Sequence, residues 1–258
     1  MRSTLAAALL LAAASSFAGI TYDFHSDTTG LQQMTIDGSV AVEGPNVRMT
    51  VSRGDGMLFK DGSIVLSRDL GKTLDVFDPA SKTYYEIPVS AMMANMSAML
   101  QSAGVKISFV NPSVRATDAG DGGTIGGFPT RKSLLDATID INIDAMGETV
   151  NSKMSMHSES WTTDKLGATA LNVFQERNLL TGIEALDKLI AAQSSALNGR
   201  FPLKQITAVH VLANGQDMTT TTTAAVSNVK QQPLDASMFA PPQGYSRVDN
   251  PLERMSKR

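Results

Sequence analysis

The chain has 258 residues, with 42% hydrophobic and only 18% charged side chains, a formal net charge of -3 and no cysteine. Disulfides and thiol catalysis are therefore excluded, and so is the cysteine that a lipid-anchored bacterial lipoprotein needs at its cleavage site. The weak acidic balance argues against nucleic acid and against a polybasic grip on anionic lipid.

The first eighteen residues read as an address. Arg2 supplies a positive charge, Leu5 to Ala14 form a short apolar run, and Ser16 and Ala18 are the small residues that a signal peptidase reads. The run is shorter than the roughly 20 apolar residues that span a bilayer, and no second long apolar stretch follows. The expectation is cleavage near Ala18, which removes Arg2 and leaves a net charge of -4, and a mature protein in the periplasm or outside the cell. Residues 19–250 are expected to form one domain and 251–258 a frayed charged tail.

From there the pattern is mainly β. Ile20 to Ser26, Met34 to Val42 and Val47 to Val51 alternate apolar and polar side chains, as half-buried strands do. Gly38 interrupts the second as an expected bulge, and Gly44-Pro45-Asn46 marks a turn. Asp55-Gly56 and Asp61-Gly62 punctuate short strands around Met57 to Phe59 and Ser63 to Leu66. Leu74 to Phe77 and Thr83 to Ile87 flank a turn at Asp78 to Ser81. This is an antiparallel meander.

The period then changes. Across Val89 to Ala103, Met92, Met93, Met96, Met99 and Leu100 fall on one helical stripe, with Ser90 as N-cap and Gly104 as stop. Strands resume at Val105 to Val110 and around Val114, the glycine-rich stretch Asp118 to Gly127 reads as a loop, and Lys132 to Ile143 pairs with Thr149 to Trp161. A second helix is expected from a Thr181/Glu184 capping box to Gly199, with Ile183, Leu186, Leu189, Ile190 and Leu197 as its apolar stripe. Ile206 to Leu212, an Asn214-Gly215 turn and Met218 to Val226 close the chain as a hairpin. The five threonines from Thr219 to Thr223 read as strand, which threonine favours.

No motif for phosphate, dinucleotide or metal-dependent hydrolysis is present. His25, His157 and His210 are scattered, so a Ser-His-Asp site would have to assemble from distant residues. No cofactor or resident metal is expected. The fourteen methionines allow a thioether reading, Met93-x-x-Met96-x-x-Met99 or Met154-x-Met156-His157 around Cu(I). The competing and stronger reading makes them adaptable packing, or a deformable face for apolar ligands.

Three local motifs carry a resemblance. Pro45-Asn46-Val47-Arg48, Gly71-Lys72-Thr73-Leu74-Asp75-Val76-Phe77-Asp78-Pro79 followed by a helix, and the ending Pro233-Leu234-Asp235 to Met238-Phe239-Ala240-Pro241-Pro242-Gln243-Gly244-Tyr245 resemble the outer-membrane lipoprotein carriers (the LolA/LolB-like superfamily). They resemble its uncharacterised secreted bacterial relatives still more, where steps like Gly127-Phe128-Pro129-Thr130 and Glu159-Ser160-Trp161 recur. The resemblance implies a curved antiparallel half-barrel, an α+β fold with two helices on the concave face, whose apolar space holds acyl chains or lipid-modified termini. Gly44 stands where the carriers place a lid-holding arginine.

Two functions follow as expectations. The first is a binding protein, not an enzyme, for an apolar ligand, lipid or lipidated protein held against Met92, Met93, Met96, Met99, Leu100, Ile183, Leu186, Leu189 and Ile190. The second is an envelope scaffold or adaptor that docks a protein partner.

Overall fold

The computed structural model describes residues 19–31, 33–55, 59–90, 104–145, 148–166, 183–213 and 215–251. The signal-like segment, the methionine-rich stretch from Met92 to Leu100, Thr181 of the expected capping box and most of the charged tail lie outside them.

Twelve strands form one sheet, built from two meanders laid side by side. The first runs through β1 (Gly19–Gly30), β2 (Met34–Glu43), β3 (Asn46–Gly54), β4 (Ile64–Ser67), β5 (Thr73–Asp78) and β6 (Thr83–Pro88). The second comprises β7 (Val105–Ile125), β8 (Phe128–Ala145), β9 (Glu148–Thr163), β10 (Phe201–Ala213) and β11 (Gln216–Gln232). Within each meander every strand pairs antiparallel with its sequence neighbour, so the connections set the registers. The meanders join at a single seam, where β1 pairs antiparallel with β11, Phe24 opposite Val226 and Thr28 opposite Thr222. The short β12 (Ser246–Arg247) adds parallel to β6 at one edge, and β7 is the other edge, so the sheet is open.

Alternation sorts the strands into two faces. Ile20, Tyr22, Val40, Val42, Val47, Met49, Val51, Val65, Val76, Tyr85, Ile87 and Leu203 are buried on the inner side in one cluster. A second, smaller cluster holds Ala137 and Ile139 of β8 against Ala185 and Leu189 of the helix α1 (Glu184–Leu197). Helix α1 packs on β7 and β8 and also borders a cavity with Ile36 of β2 and Met49 of β3. One helix can reach both wings only because the sheet curls around it.

The helix departs from its expected start. Ile183 occupies the N-cap in an extended conformation with no side-chain cap, and Glu184 pairs with Lys188 at 2.8 Å instead of closing a box. Its end is as expected: Asn198 and Gly199 take the left-handed conformation that stops a helix.

A second departure is larger. Asp118 to Gly127 is not a loop; all but its last two residues belong to the 21-residue strand β7. Gly120 and Gly123 do not break the strand because each sits in a bulge with a local hydrogen bond. Their φ angles are near +83° and +76°, the register shifts there, and the preceding Asp118 and Asp121 carboxylates accept from their backbone N–H groups at 2.9 and 2.8 Å. Asp-x-Gly repeated three residues apart is thus a pair of Asx-turn bulges. Only Gly126-Gly127 makes the turn.

Gly38 does mark a bulge, between β2 and β3. A Cβ there would lie 2.5 Å from the carbonyl oxygen of Thr50, a backbone atom that cannot swing aside. Gly38→Ala is expected to lower unfolding free energy by about 1–3 kcal/mol, read as a drop in the urea midpoint. An unchanged midpoint would mean that β2 and β3 are not held in this register.

Past β11 the chain crosses the outer face as a strap. Asp235 caps a 3-10 turn (Ala236–Phe239), its carboxylate accepting from Ser237 N–H at 2.8 Å. Arg48 donates to the Met238 carbonyl at 2.9 Å, and Phe239 is buried. Tyr245 lies edge-on to Phe77 of β5, and Arg247 pairs with Glu86 of β6 at 2.6 Å.

Candidate functional site

The inner face over the seam is not fully packed. A cavity of about 280 Å³ lies there beneath the C-terminal half of α1. β1 contributes Tyr22 and Phe24, β2 Ile36 and β3 Met49, so the first meander makes an apolar wall. Phe59, between β3 and β4, joins it. The second meander adds Phe201 to Gln205 from β10 and Ala224 to Val226 from β11, and α1 covers the space with Gln193, Ser194 and Leu197. Tyr22 and Phe201 meet edge to face, ring centroids 5.4 Å apart, and fix the floor. Burial pushes the Tyr22 phenol well above its ordinary range, so it stays neutral.

Beyond this apolar part the inner face turns polar without turning charged. Thr28, Thr222, Thr207 and Ser158 lie directly opposite one another across β1, β11, β10 and β9. They pair in twos: Thr28 with Thr222 at 3.0 Å, and Ser158 with Thr207 at 2.9 Å. Gln205 lines the cavity and donates from its amide to Ser158 Oγ at 3.1 Å. The cavity therefore runs from aromatic and aliphatic side chains toward a belt of hydroxyls.

The residues expected on α1 lie elsewhere on the helix. Leu189 is buried and Leu186 half-buried in the cluster with Ala137 and Ile139, while Ile183 and Ile190 are half-buried. The cavity is reached by the next turn, at Gln193, Ser194 and Leu197. The sequence carries a signal for this: the stripe Leu186, Ile190, Leu197 has polar residues at 193 and 194, where an uninterrupted core face would be apolar. Met92, Met93, Met96, Met99 and Leu100 fall outside the described residues.

The thioether reading of Met154-x-Met156-His157 fails on strand geometry. Met154 and Met156 point inward, packed against Ala137 and Ile139. His157 points outward, its Nδ1 2.7 Å from Asp136 and its Nε2 3.6 Å from Glu159. Successive residues of a strand face opposite ways, so the three cannot share an ion. Among the described residues no group of three or more His, Asp or Glu side chains is placed to hold a metal.

The other histidines are also engaged on the outer face. His25 bonds Asp37 at 2.6 Å, and His210 lies 2.9 Å from Thr219 Oγ1. His157 joins a small polar array in which Glu159 pairs with Lys132 at 2.9 Å, and Lys132 and Lys204 flank the Trp161 ring at 4.7 and 5.0 Å. The hydrogen bond to Asp136, aided by Glu159, raises the His157 pKa above its ordinary value. Its stabilising contribution is fully present below the ordinary histidine value, near ~6.5, and is lost as pH rises through the raised one. The Tm of the protein is expected to fall between mildly acidic and mildly alkaline pH by more than that of His157→Gln. Parallel profiles for the two proteins would show the array to be inert.

No family model matches the chain, and no curated protein matches it in sequence. Among solved structures, an uncharacterised conserved protein from Thermus thermophilus aligns over 91% of this chain and 91% of its own, at 8% identity and a TM-score of 0.38. A LolA superfamily protein from Nitrosomonas europaea aligns over 87% of this chain and 91% of its own, at 7% identity and a TM-score of 0.32. A DUF1329 family protein from Desulfovibrio piger aligns over 88% and 91%, at 9% identity and a TM-score of 0.34.

Proposed function

We propose that the protein is a periplasmic or secreted binding protein for an apolar ligand, either a lipid or the lipidated end of a protein, and that it carries out no catalysis. The observation that supports this is the cavity over the seam. It is lined mainly by aromatic and aliphatic side chains with a few polar groups among them, the composition of a small-molecule site. The histidines, by contrast, are tied to carboxylates or a threonine on the opposite face of the sheet. Met92, Met93, Met96, Met99 and Leu100 lie outside the described residues, and their part in ligand binding rests on the sequence pattern alone.

No observation favours the adaptor reading. The exposed large hydrophobics among the described residues, Leu31, Leu70, Leu212 and Met238, lie on four separate segments of the chain. No described helix is long and apolar enough to cross a membrane.

The test is direct. Protein stripped of lipid by unfolding and refolding should bind the neutral fluorophore N-phenylnaphthylamine saturably, with one site per chain. Native mass spectrometry of protein taken from its host should show a bound small amphiphile. A linear, non-saturating fluorescence response together with a bare mass would overturn the proposal.

A further inference from the structure

Within the ligand-binding reading, three features of the cavity narrow what it takes. The first is size. At about 280 Å³ it falls at the lower edge of the roughly 300–1,000 Å³ usual for ligand pockets, which is room for one hydrocarbon chain and not for two.

The second is a hydroxyl with nothing to bond. Ser194 on α1 lines the cavity, is 5% exposed, and its Oγ has no hydrogen-bond partner among the described residues. Native proteins seldom bury a hydroxyl in this state, because the group loses water and gains nothing. The hydroxyls of the belt are satisfied: Ser158, Thr207, Thr28 and Thr222 pair among themselves, and Gln205 bonds Ser158. Among the described residues, Ser194 is the buried side chain of the lining left for a ligand atom.

The third is charge. Lys204 is the sole ionisable cation of the described lining, and its ammonium lies over the Trp161 ring, on the outer side of the sheet. An anionic head buried here would meet hydroxyls and amides but no counter-charge, which is costly.

We propose that the cavity takes a single-chain amphiphile with an uncharged, oxygen-rich head, of the monoacylglycerol type, and that Ser194 hydrogen-bonds that head. The chain lies along Phe24, Ile36, Met49 and Phe201, and the head faces the α1 cover and Gln205.

Competition against N-phenylnaphthylamine tests this on the full chain. Monomyristoylglycerol should displace the fluorophore at a stoichiometry of one. Myristate, with the same chain and an anionic head, and a diacyl phosphatidylcholine should each do so at least about tenfold less well. Ser194→Ala should weaken monomyristoylglycerol by about three- to tenfold, the loss of one hydrogen bond. The Tm of the empty protein should be equal or higher, since an unsatisfied polar group has gone. Myristate or phosphatidylcholine competing as well as monomyristoylglycerol would overturn the inference while leaving the binding function intact. So would a Ser194→Ala protein with unchanged monomyristoylglycerol affinity. Absence of fluorophore binding would remove the function itself.

Discussion

Truncating Phe77 to alanine is expected to cost about 3–5 kcal/mol of stability and to release the C-terminal strap. Phe77 is 1% exposed and stacks on Tyr84 of the next strand, centroids 5.0 Å apart and planes 17° from parallel. Tyr245 closes over it edge-on at 5.3 Å. The side chain thus joins β5, β6 and the strap in one aromatic group, and alanine would leave a hole that no neighbour can fill without moving backbone. Urea unfolding reads the loss. Limited proteolysis reads the release, with cleavage between Pro233 and Asn250 appearing well before any cut in the sheet. Tyr245→Ala separates the two effects: the strap should be cut as readily, while the urea midpoint falls much less. If Phe77→Ala leaves the strap resistant, the polar contacts of Arg48 with Met238, of Arg247 with Glu86 and of the Asn250 amide, which donates to the Glu86 carbonyl at 3.3 Å, hold it without the aromatic group.

Filling the cavity should have the largest effect on binding. Ala224 sits at the seam, opposite Ser26 of β1 and Gln205 of β10, and lines the cavity. Ala224→Phe places a ring in space that no described residue occupies. Fluorophore affinity is expected to fall by at least about tenfold, and stability to hold or rise by about 0.5–2 kcal/mol, as cavity-filling changes commonly do. The opposite pattern, a clear loss of stability with affinity intact, would mean that the site is already packed and that the ligand binds elsewhere.

Much of this architecture is legible in the sequence. The six strands of the first meander, the bulge at Gly38, the threonine-rich strand and the stop at Gly199 follow from local rules, because each depends on residues that are neighbours in sequence. The further short strand expected around Met57 to Phe59 is not among them: Met57 and Leu58 lie outside the described residues, and Phe59 sits in a bend between β3 and β4. Asp118 to Gly127 reads as a loop when its glycines are counted as breakers, yet each aspartate two residues earlier supplies the hydrogen bond that a bulge needs. Alternation places the start of β10 late, at Ile206, because Pro202, Lys204 and Gln205 interrupt it; Phe201 and Leu203, 3% and 1% exposed, are among the deepest residues in the protein. The cavity is beyond local reading for a different reason. Tyr22 and Val226 line the same space from opposite sides of the seam, and nothing within either strand says that the two meet. The part of the site open to inference is the polar break at Gln193 and Ser194, which the apolar members of the α1 stripe mask.

The seam also orders events in time. Each meander can assemble from neighbouring hairpins as the chain emerges, but β1 must wait for β11, whose residues come about two hundred positions later; Asn228 reaches back to Asp23 with a 2.7 Å bond. Until then the open edge of β1 is an unpaired strand that a second, equally unfinished chain could capture. The pocket inherits the same delay, since its two halves come from opposite ends of the polypeptide. A chain cut anywhere before β11 would lack one wall of the pocket and the partner of its first strand. Binding competence is thus a property that only the finished polypeptide can acquire.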